Sequence, residues 1–406
     1  MGQLIEVVVT LVGETALFDL DRTLTGQDGF SFPGPPDNTE SPPELLAQRL
    51  FAIDEQIENI HVLSNLVTVT RTGGWDDEAL TATTDVLSKL LVFYEIESPE
   101  DRIARLRNDY YNATVTDIRA HSPDLWVIKV TPDEPIKPFK PGQYTTLGLG
   151  FWEPRADEAM EDFEDDQEQI EKMARRSYSV ASSIVGGDGN LVEAHPADVE
   201  FYVVQVRPDE KEIPALTPRI FTRLVGDRIY MGRKFTGRYT LDGVQPTDNL
   251  VLLATGTGEA PHNAMTAELL RNGHQGKIVS VVCVRYRRDL AYRSQHATVE
   301  NRHPNYRHVA LTTREPENEG NKLYIQDLIT SGRLEDELGA PLDPVHTHAF
   351  LCGNPAMIGL PKQSDDGSLQ FPERVGVSEL LHEKGFIIDR PRQRGNVHYE
   401  EYWRDH

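Results

Sequence analysis

Short segments with alternating apolar and polar residues, separated by turns, occupy residues 108–245. They include 113–116, 125–130 and 199–206, and a further one begins after the Pro141-Gly142 turn. Many short strands joined by turns are typical of antiparallel barrels. We therefore predict an antiparallel Greek-key β-barrel domain here.

The pattern changes after residue 246, where apolar runs alternate with helical segments. Strands are predicted at 249–254, 277–285, 306–312 and 348–352, with a helix from Ala260 and another after the last strand. Alternating strands and helices form a parallel, doubly wound sheet that binds ligands beyond the carboxyl ends of its strands. Residues 246–406 are thus predicted to be an α/β domain.

Residues 1–105 are predicted to form a small α+β domain of their own. Ser41 is a predicted N-cap, with Pro42 at the first helical position and Glu44 at the third. The other predicted elements are strands at 5–11, 60–63 and 66–70, a turn at Ser64-Asn65 and a helix from about Asp76 to Tyr94. The chain is therefore multidomain, with predicted domains at 1–105, 108–245 and 246–406.

Composition excludes several classes of protein. The 406 residues carry a formal net charge of −24, whereas a general nucleic-acid binder has a basic surface. No apolar run approaches the roughly 20 residues of a membrane helix, so no membrane partner is expected. The two cysteines, Cys283 and Cys352, exclude a disulfide framework and a cluster with four cysteine ligands. With no secretory signal at the N-terminus, a cytoplasmic location is expected.

Arg176-Ser177-Tyr178-Ser179 has the residue types that hold a flavin. Arg176 suits a phosphate, and Tyr178 would face the same side and stack on the ring and ribityl chain. Ser179 projects oppositely, toward flavin N5 or a nicotinamide. Taken alone, such a tetrapeptide is better explained as a surface arginine beside a strand aromatic. Thr217 is the predicted N-cap of a helix, whose free backbone N–H groups could bind a second phosphate. Arg176 and this helix N-terminus together favour FAD.

Thr255-Gly256-Thr257-Gly258 follows an apolar strand and precedes a helix. Glycines let a backbone approach a pyrophosphate closely, so these four residues are predicted to bind a dinucleotide. A strand-to-helix turn of this kind can also be purely structural.

A second group of residues suits the 2′-phosphate that distinguishes NADPH from NADH. Thr313 and Arg314 close a predicted strand and offer a hydroxyl and a guanidinium. The group is completed by Lys322 as a second cation, Tyr324 as a ring for the adenine, Gln326 as an amide and Arg285 at the end of the neighbouring strand. These cations stand out in an acidic chain.

Cys352 ends an apolar strand before the turn that contains Gly353 and Asn354. A buried cysteine is usually a small core residue. Its place at a strand end lets the thiol contact a nicotinamide, and we predict a packing role in hydride-transfer geometry. Tyr402 and Trp403 are the tail aromatics predicted to cover the flavin.

Taken together, residues 108–406 resemble the ferredoxin/flavodoxin–NADP⁺ reductase family. The motifs that carry the resemblance are Arg176-x-Tyr178-Ser179, the Thr-Gly-Thr-Gly turn, Thr313-Arg314, Lys322-x-Tyr324 and Cys352-Gly353. The resemblance implies FAD and NADP(H) as cofactors, with Ser179, Cys352 and Tyr402 at the catalytic centre. It also places Tyr202 and Val204 in the FAD site. Glu259 departs from the family, which more commonly has an apolar residue there.

The first 95 residues resemble the N-terminal domain of Nfu/NifU-like iron–sulfur scaffold proteins. The Ser41-Pro42 helix and the strand Val67-Thr68-Val69-Thr70 before Trp75 carry this likeness. The paired cysteines of the family's cluster-binding domain are absent, so the resemblance implies an interaction role.

The sequence thus predicts a reductase that moves hydride between NADPH and FAD and single electrons to or from ferredoxin or flavodoxin. Two alternatives stay open: an interaction protein for iron–sulfur assembly with a reductase module, and an acceptor of another type such as a haem protein. Two basic clusters, one at Arg233-Lys234 with Arg238 and one at Arg390, Arg392 and Arg394, are either solvated loops or a landing patch for an acidic carrier. The acidic insertion 153–171 is either a solvated segment or a screen for partners.

Overall fold

A computed structural model of the chain describes residues 4–37, 39–92, 98–156, 170–193, 197–207, 213–364, 368–391 and 393–402. It divides into two compact units, 1–101 and 102–406. Within the described ranges, no helix has the length and apolar character needed to cross a membrane. The predicted domain limits at 105, 108 and 245 stay predictions.

The first unit is a five-stranded antiparallel sheet with two helices. Its strands lie in the order β1-β2-β5-β4-β3. They are β1 (Val7–Val12), β2 (Thr15–Leu20), β3 (Gly29–Phe32), β4 (Ile57–Leu63) and β5 (Leu66–Arg71), and the helices are α1 (Pro42–Ile53) and α2 (Asp77–Ser88). Alternate strand residues such as Phe18, Val62 and Val69 are fully buried with Leu46 and Leu50 of α1. The sheet therefore packs one face against the helices.

Several elements of this unit differ from the prediction. The start of α1 is as predicted, because Ser41 N donates to the Glu44 carboxylate at 2.9 Å. The end of α2 is not, because the helix stops at Ser88 and the buried side chain of Leu90 turns into the core. Tyr94 itself lies outside the described residues. Strands β2 and β3 were not predicted. Neither was the helix α3 (Pro99–Tyr110), most of which belongs to the second unit.

Residues 113–231 form the predicted antiparallel barrel. Its strands are β6 (Ala113–Ser122), β7 (Leu125–Pro132), β8 (Tyr144–Gly150), β9 (Met173–Ser179), β10 (Val199–Val204) and β11 (Arg228–Met231). They lie in the order β10-β7-β6-β11-β8-β9, and an antiparallel bridge from Ala181 N to Glu200 O at 2.8 Å connects the two ends. The barrel is filled by apolar side chains such as Ile128, Leu147 and Phe201.

The last part of the chain is a five-stranded, fully parallel sheet. Its strands are β12 (Asn249–Thr255), β13 (Ile278–Val284), β14 (Tyr306–Thr312), β15 (Thr347–Gly353) and β18 (Val397–Glu401), in the order β14-β13-β12-β15-β18. A small hairpin of β16 (Lys362–Gln363) and β17 (Leu369–Gln370) lies apart from the sheet. Leu250 and Val251 pack on opposite faces, which explains why the central strands are apolar throughout.

Helices surround these sheets. They are α4 (Thr217–Ile220), α5 (Glu259–Arg271), α6 (Arg293–Arg302), α7 (Ile325–Thr330), α8 (Arg333–Leu338), α9 (Pro355–Ile358) and α10 (Val377–Glu383). The strand order reverses between β12 and β15, which makes a crevice at their carboxyl ends. Edge strand β18 was not predicted, because its sequence His398-Tyr399-Glu400-Glu401 is polar.

Candidate active site

Two glycines bring the turn after β12 against the end of β15. A Cβ on Gly258 would lie 2.3 Å from Cys352 O, and one on Gly353 would lie 2.3 Å from Thr255 Oγ1. Gly353 also has a φ of +122°. Asn354 N then donates to Thr255 Oγ1 at 2.7 Å. The predicted dinucleotide residues on the two strands therefore form one closely packed edge.

The opposite side of the same turn is open. Gly256 has a φ of +54°, and nothing lies within 4 Å of the position where its Cβ would be. Its backbone is thus free to be approached from outside, and α5 begins directly behind the turn, at Glu259.

A hydrogen bond joins the barrel to the parallel sheet at this edge. Ser179 Oγ, at the end of β9, donates to Glu400 Oε2 of β18 at 2.7 Å. Glu400 lies opposite Cys352 in the β15–β18 register. Tyr402 OH donates to Thr257 O at 3.3 Å. The three residues predicted as catalytic, Ser179, Cys352 and Tyr402, are therefore brought together around a carboxyl group.

Burial determines the protonation of this cluster. It raises the pKa of Glu400 to about 7, and the hydrogen bond from Ser179 opposes that rise. Burial also raises the pKa of Cys352 well above its ordinary value. The thiol therefore stays protonated near neutral pH, which fits a packing group better than a nucleophile.

Glu400 was missed by the sequence analysis. Residues two apart on a strand share a face, so Glu400 lies on the same face as Tyr402. That spacing was the available signal, and it was lost because β18 was not recognised as a strand.

The predicted flavin residues lie in two places. Arg176 and Tyr178 lie on β9, where Tyr178 is half-buried and edge-on to Phe201 at 6.4 Å between ring centroids. Burial raises the pKa of Tyr178, so its hydroxyl stays neutral. Tyr202 and Val204 pack elsewhere, in a cluster with Tyr292. Tyr202 OH donates to Asp289 O at 2.7 Å, and this geometry lends its predicted flavin contact no support.

The prediction that Thr217 caps a helix is wrong. Helix α4 is a single turn whose N-cap is Leu216, and Thr217 Oγ1 instead accepts a hydrogen bond from Val206 N at 3.1 Å. Thr217 therefore ties α4 to the segment that follows β10.

The residues predicted for the 2′-phosphate lie around the ends of β13 and β14. Arg314 N donates to Arg285 O at 2.8 Å, which joins the two segments. Thr313 Oγ1 donates to Val284 O at 3.3 Å. The side chains of Arg285, Arg314, Lys322 and Tyr324 are exposed, and Gln326 is half-buried at the start of α7.

Further predicted features fall outside the described residues. They include Trp403, predicted to contact a cofactor, and residues 157–169 of the acidic insertion. The described ends of the insertion are ion-paired to α3, through Glu153 with Arg107 at 2.8 Å and Glu171 with Arg102 at 2.6 Å.

Comparison with known proteins agrees with this fold. Residues 252–362 match the family described as Oxidoreductase NAD-binding domain. A flavodoxin/ferredoxin–NADP reductase of Shigella flexneri is 30% identical over 252 residues, which are 62% of this chain and 87% of that protein. A ferredoxin–NADP reductase of Pseudomonas aeruginosa is 27% identical, over 69% of this chain and 99% of that protein.

A solved structure has the same fold. It is a ferredoxin NADP⁺ reductase from Neisseria gonorrhoeae with bound FAD and NADP, with a TM-score of 0.53 and 20% identity, covering 72% of this chain and 98% of that one. The barrel, the parallel sheet and the Ser179–Glu400 contact between them define an oxidoreductase of the dinucleotide-binding type. With the similarity to the Shigella protein, they show that the chain belongs to the ferredoxin/flavodoxin–NADP reductase family.

Proposed function

We propose that the chain is an FAD-dependent reductase that transfers hydride between NADPH and FAD and exchanges single electrons with ferredoxin or flavodoxin. The observation that carries this proposal is the convergence of Ser179 from the barrel with Cys352, Glu400 and Tyr402 from the sheet. A residue from each domain then borders the same reacting atoms.

The barrel residues suit FAD. Arg176 and Tyr178 alternate along β9 with Ser179 at its end, so a guanidinium, an aromatic ring and a hydroxyl follow one strand. When bound, FAD accepts hydride and passes electrons on singly, and that chemistry belongs to the cofactor. The protein holds the ring system, orients it and limits access of water.

The sheet residues suit NADPH. Gly256 leaves room for a pyrophosphate in front of α5, whose N-terminus favours negative charge. Arg314 and Lys322 are exposed, and neither forms an ion pair with another described residue, so both are available to a 2′-phosphate. Cys352 and Gly353 end the central strand beside the turn.

Ser179 and Glu400 provide a route for a proton. Full reduction of a bound flavin to its neutral form would take up one proton beyond the hydride, and the carboxyl of Glu400, half protonated near pH 7, would supply it. Its hydrogen bond to Ser179 Oγ leads from the buried carboxyl to the end of β9. Glu400 therefore acts as the proton donor and Ser179 as its relay.

The basic clusters support an acidic protein as the electron carrier. Arg238 Nη1 donates to Pro391 O at 2.8 Å and Arg394 donates to Thr240 O at 2.6 Å, so the two clusters form one surface. Thr236, beside that surface, pairs with Tyr144, and Tyr144 pairs with Ser179. A carrier attracted there would lie near the candidate site. Arg392 lies outside the described residues.

The experiment that tests the reductase proposal is an absorbance spectrum of the purified protein followed by NADPH titration. We expect a flavin spectrum that bleaches with NADPH and recovers on addition of oxidised ferredoxin or flavodoxin. Colourless protein that stays inert after reconstitution with FAD would refute the proposal. Recovery only with a haem protein would instead identify another acceptor.

We further propose that the first unit is an Nfu-like interaction module for iron–sulfur assembly proteins, and that the protein is cytoplasmic. The unit's separate apolar core and the free cysteines Cys283 and Cys352 support these proposals. Because α3 is ion-paired to the barrel segment, a chain starting at Ser98 keeps those contacts. We expect it to retain carrier reduction and lose binding to iron–sulfur assembly proteins. Unchanged binding would contradict the module proposal.

A further inference from the structure

A chain of buried polar groups lies behind the dinucleotide turn and plays no part in the mechanism above. Glu259, the first residue of α5, is 1% exposed, and its Oε1 lies 2.6 Å from His296 Nε2 of α6. His296 Nδ1 in turn lies 2.7 Å from Tyr306 OH of β14. His296 and Tyr306 are also fully buried.

We propose that Glu259, through its charge behind the turn, couples NADPH binding to uptake of a proton. The inference rests on the proposed function, because it assumes that a pyrophosphate binds at Gly256–Gly258 in front of α5. An ionised Glu259 adds a negative charge to the first residue behind that turn, whereas a protonated one does not.

Among the described residues, the groups that face Glu259 include no cation to balance its charge. They are His121 on β6, Tyr202 on β10, Asn263 on α5, His296 on α6, and Tyr306 and His308 on β14. His296 and His308 stack at 3.7 Å between centroids, and burial lowers the pKa of each to about 3. Glu259 Oε2 has no hydrogen bond among the described residues.

Burial raises the pKa of Glu259 to about 7, against smaller opposing effects of His308, Asn263 and His121. A phosphate anion near a carboxyl raises its pKa further. Binding of a pyrophosphate above pH 7 should therefore draw a proton onto Glu259. Below pH 7 the carboxyl is already protonated, so uptake should disappear there and affinity should be highest.

The hydrogen-bond chain can accommodate either state. With Glu259 protonated, the carboxyl donates to His296 Nε2 and His296 Nδ1 donates to Tyr306 OH. With Glu259 ionised, His296 Nε2 donates to the carboxylate and Tyr306 OH donates to Nδ1. Since imidazole has two tautomers, both hydrogen bonds persist and α5 keeps its position.

The test is calorimetric titration of the FAD-loaded protein with NADP⁺ and with NAD⁺, in two buffers of different ionisation enthalpy. NAD⁺ is included because it lacks the 2′-phosphate, which itself titrates near pH 6. We expect wild type to take up a proton at pH 7.5 with both ligands, and Glu259→Gln to take up less. From pH 6.5 to 9, each unit by which ligand raises the Glu259 pKa should weaken wild-type binding about tenfold relative to Glu259→Gln.

Glu400→Gln is the second variant, because Glu400 titrates in the same range. Uptake that persists in Glu400→Gln supports the proposal even if Glu259→Gln does not fold, and uptake that vanishes there overturns it. Equal uptake by wild type and Glu259→Gln also overturns it. Absence of NADP⁺ binding at every pH would instead refute the proposed function.

Discussion

Replacing Glu400 with glutamine removes the proposed proton donor while keeping the size of the side chain. The amide oxygen can still accept the hydrogen bond from Ser179, which is 2.7 Å long in the native protein, so the geometry should persist. The amide cannot transfer a proton. General acid catalysis by a positioned group contributes roughly 10²–10⁴ in rate, so the rate of flavin reduction should fall by about that factor.

The pKa of Glu400 sets the pH dependence. Burial raises it to about 7, so the carboxyl is about 90% protonated at pH 6 and about 10% at pH 8. The wild-type rate should therefore fall about tenfold between these values, and that of Glu400→Gln should be low and flat. Since the bond from Ser179 lowers this pKa, Ser179→Ala should move the midpoint to higher pH.

The assay is stopped-flow bleaching of the flavin at saturating NADPH, from pH 5.5 to 9. Saturation removes effects on binding, and Glu259→Gln serves as the control that should keep the wild-type midpoint. A wild-type rate in Glu400→Gln with the same alkaline decrease would refute the role of Glu400. A shift of the Ser179→Ala midpoint to lower pH would contradict the effect of that hydrogen bond on the Glu400 pKa, and a wild-type rate in Ser179→Ala would refute the relay.

Three further predictions concern binding and stability. Arg314→Ala should weaken the binding of NADPH by tenfold or more relative to that of NADH, since a charge-assisted phosphate contact is lost. Arg307→Ala, at the opposite end of β14, is the control and should not change this ratio. An equal loss of affinity for both coenzymes would contradict the assignment. Tyr178→Ala should lose FAD on gel filtration while Tyr178→Phe keeps it, and a fully yellow alanine variant would count against stacking. The free energy of unfolding of Glu259→Gln, measured with urea, should equal that of wild type near pH 4.5 and exceed it by up to about 3 kcal/mol above pH 7. The raised carboxyl pKa makes wild type lose stability as pH rises from 4.5 to about 7, and a constant difference would contradict this.

Much of the fold followed from local patterns. The central strands of the parallel sheet are apolar throughout because both faces are covered, and that run is visible without a structure. The capping residues Ser41 and Glu44 marked the start of α1. Strand β18 was not predicted because its residues from His398 to Glu401 are polar, so its pairing with β15 carries no local signature.

Part of the candidate site could also be predicted from the sequence. Turn glycines and the cations after β14 are recognisable because phosphate needs open backbone and positive charge wherever it binds. Thr217 was misassigned because N-cap chemistry in sequence does not reveal which amide its hydroxyl meets. The flavin contact of Tyr202 stays a prediction; in the structure its ring packs edge-on to Tyr292 and its hydroxyl donates to Asp289 O.

The sequence alone determined the order of barrel and sheet, the apolar strands and the glycine turn, since each depends on residues close together in the chain. Only the tertiary structure decided that Glu400 meets Ser179 across 221 positions and that Arg238 meets Pro391 across 153. Such contacts depend on strand register and on how one sheet packs beside another. Burial, which moves the carboxyl pKa values of Glu259 and Glu400 to about 7, is likewise a property of the packed protein and of no single segment.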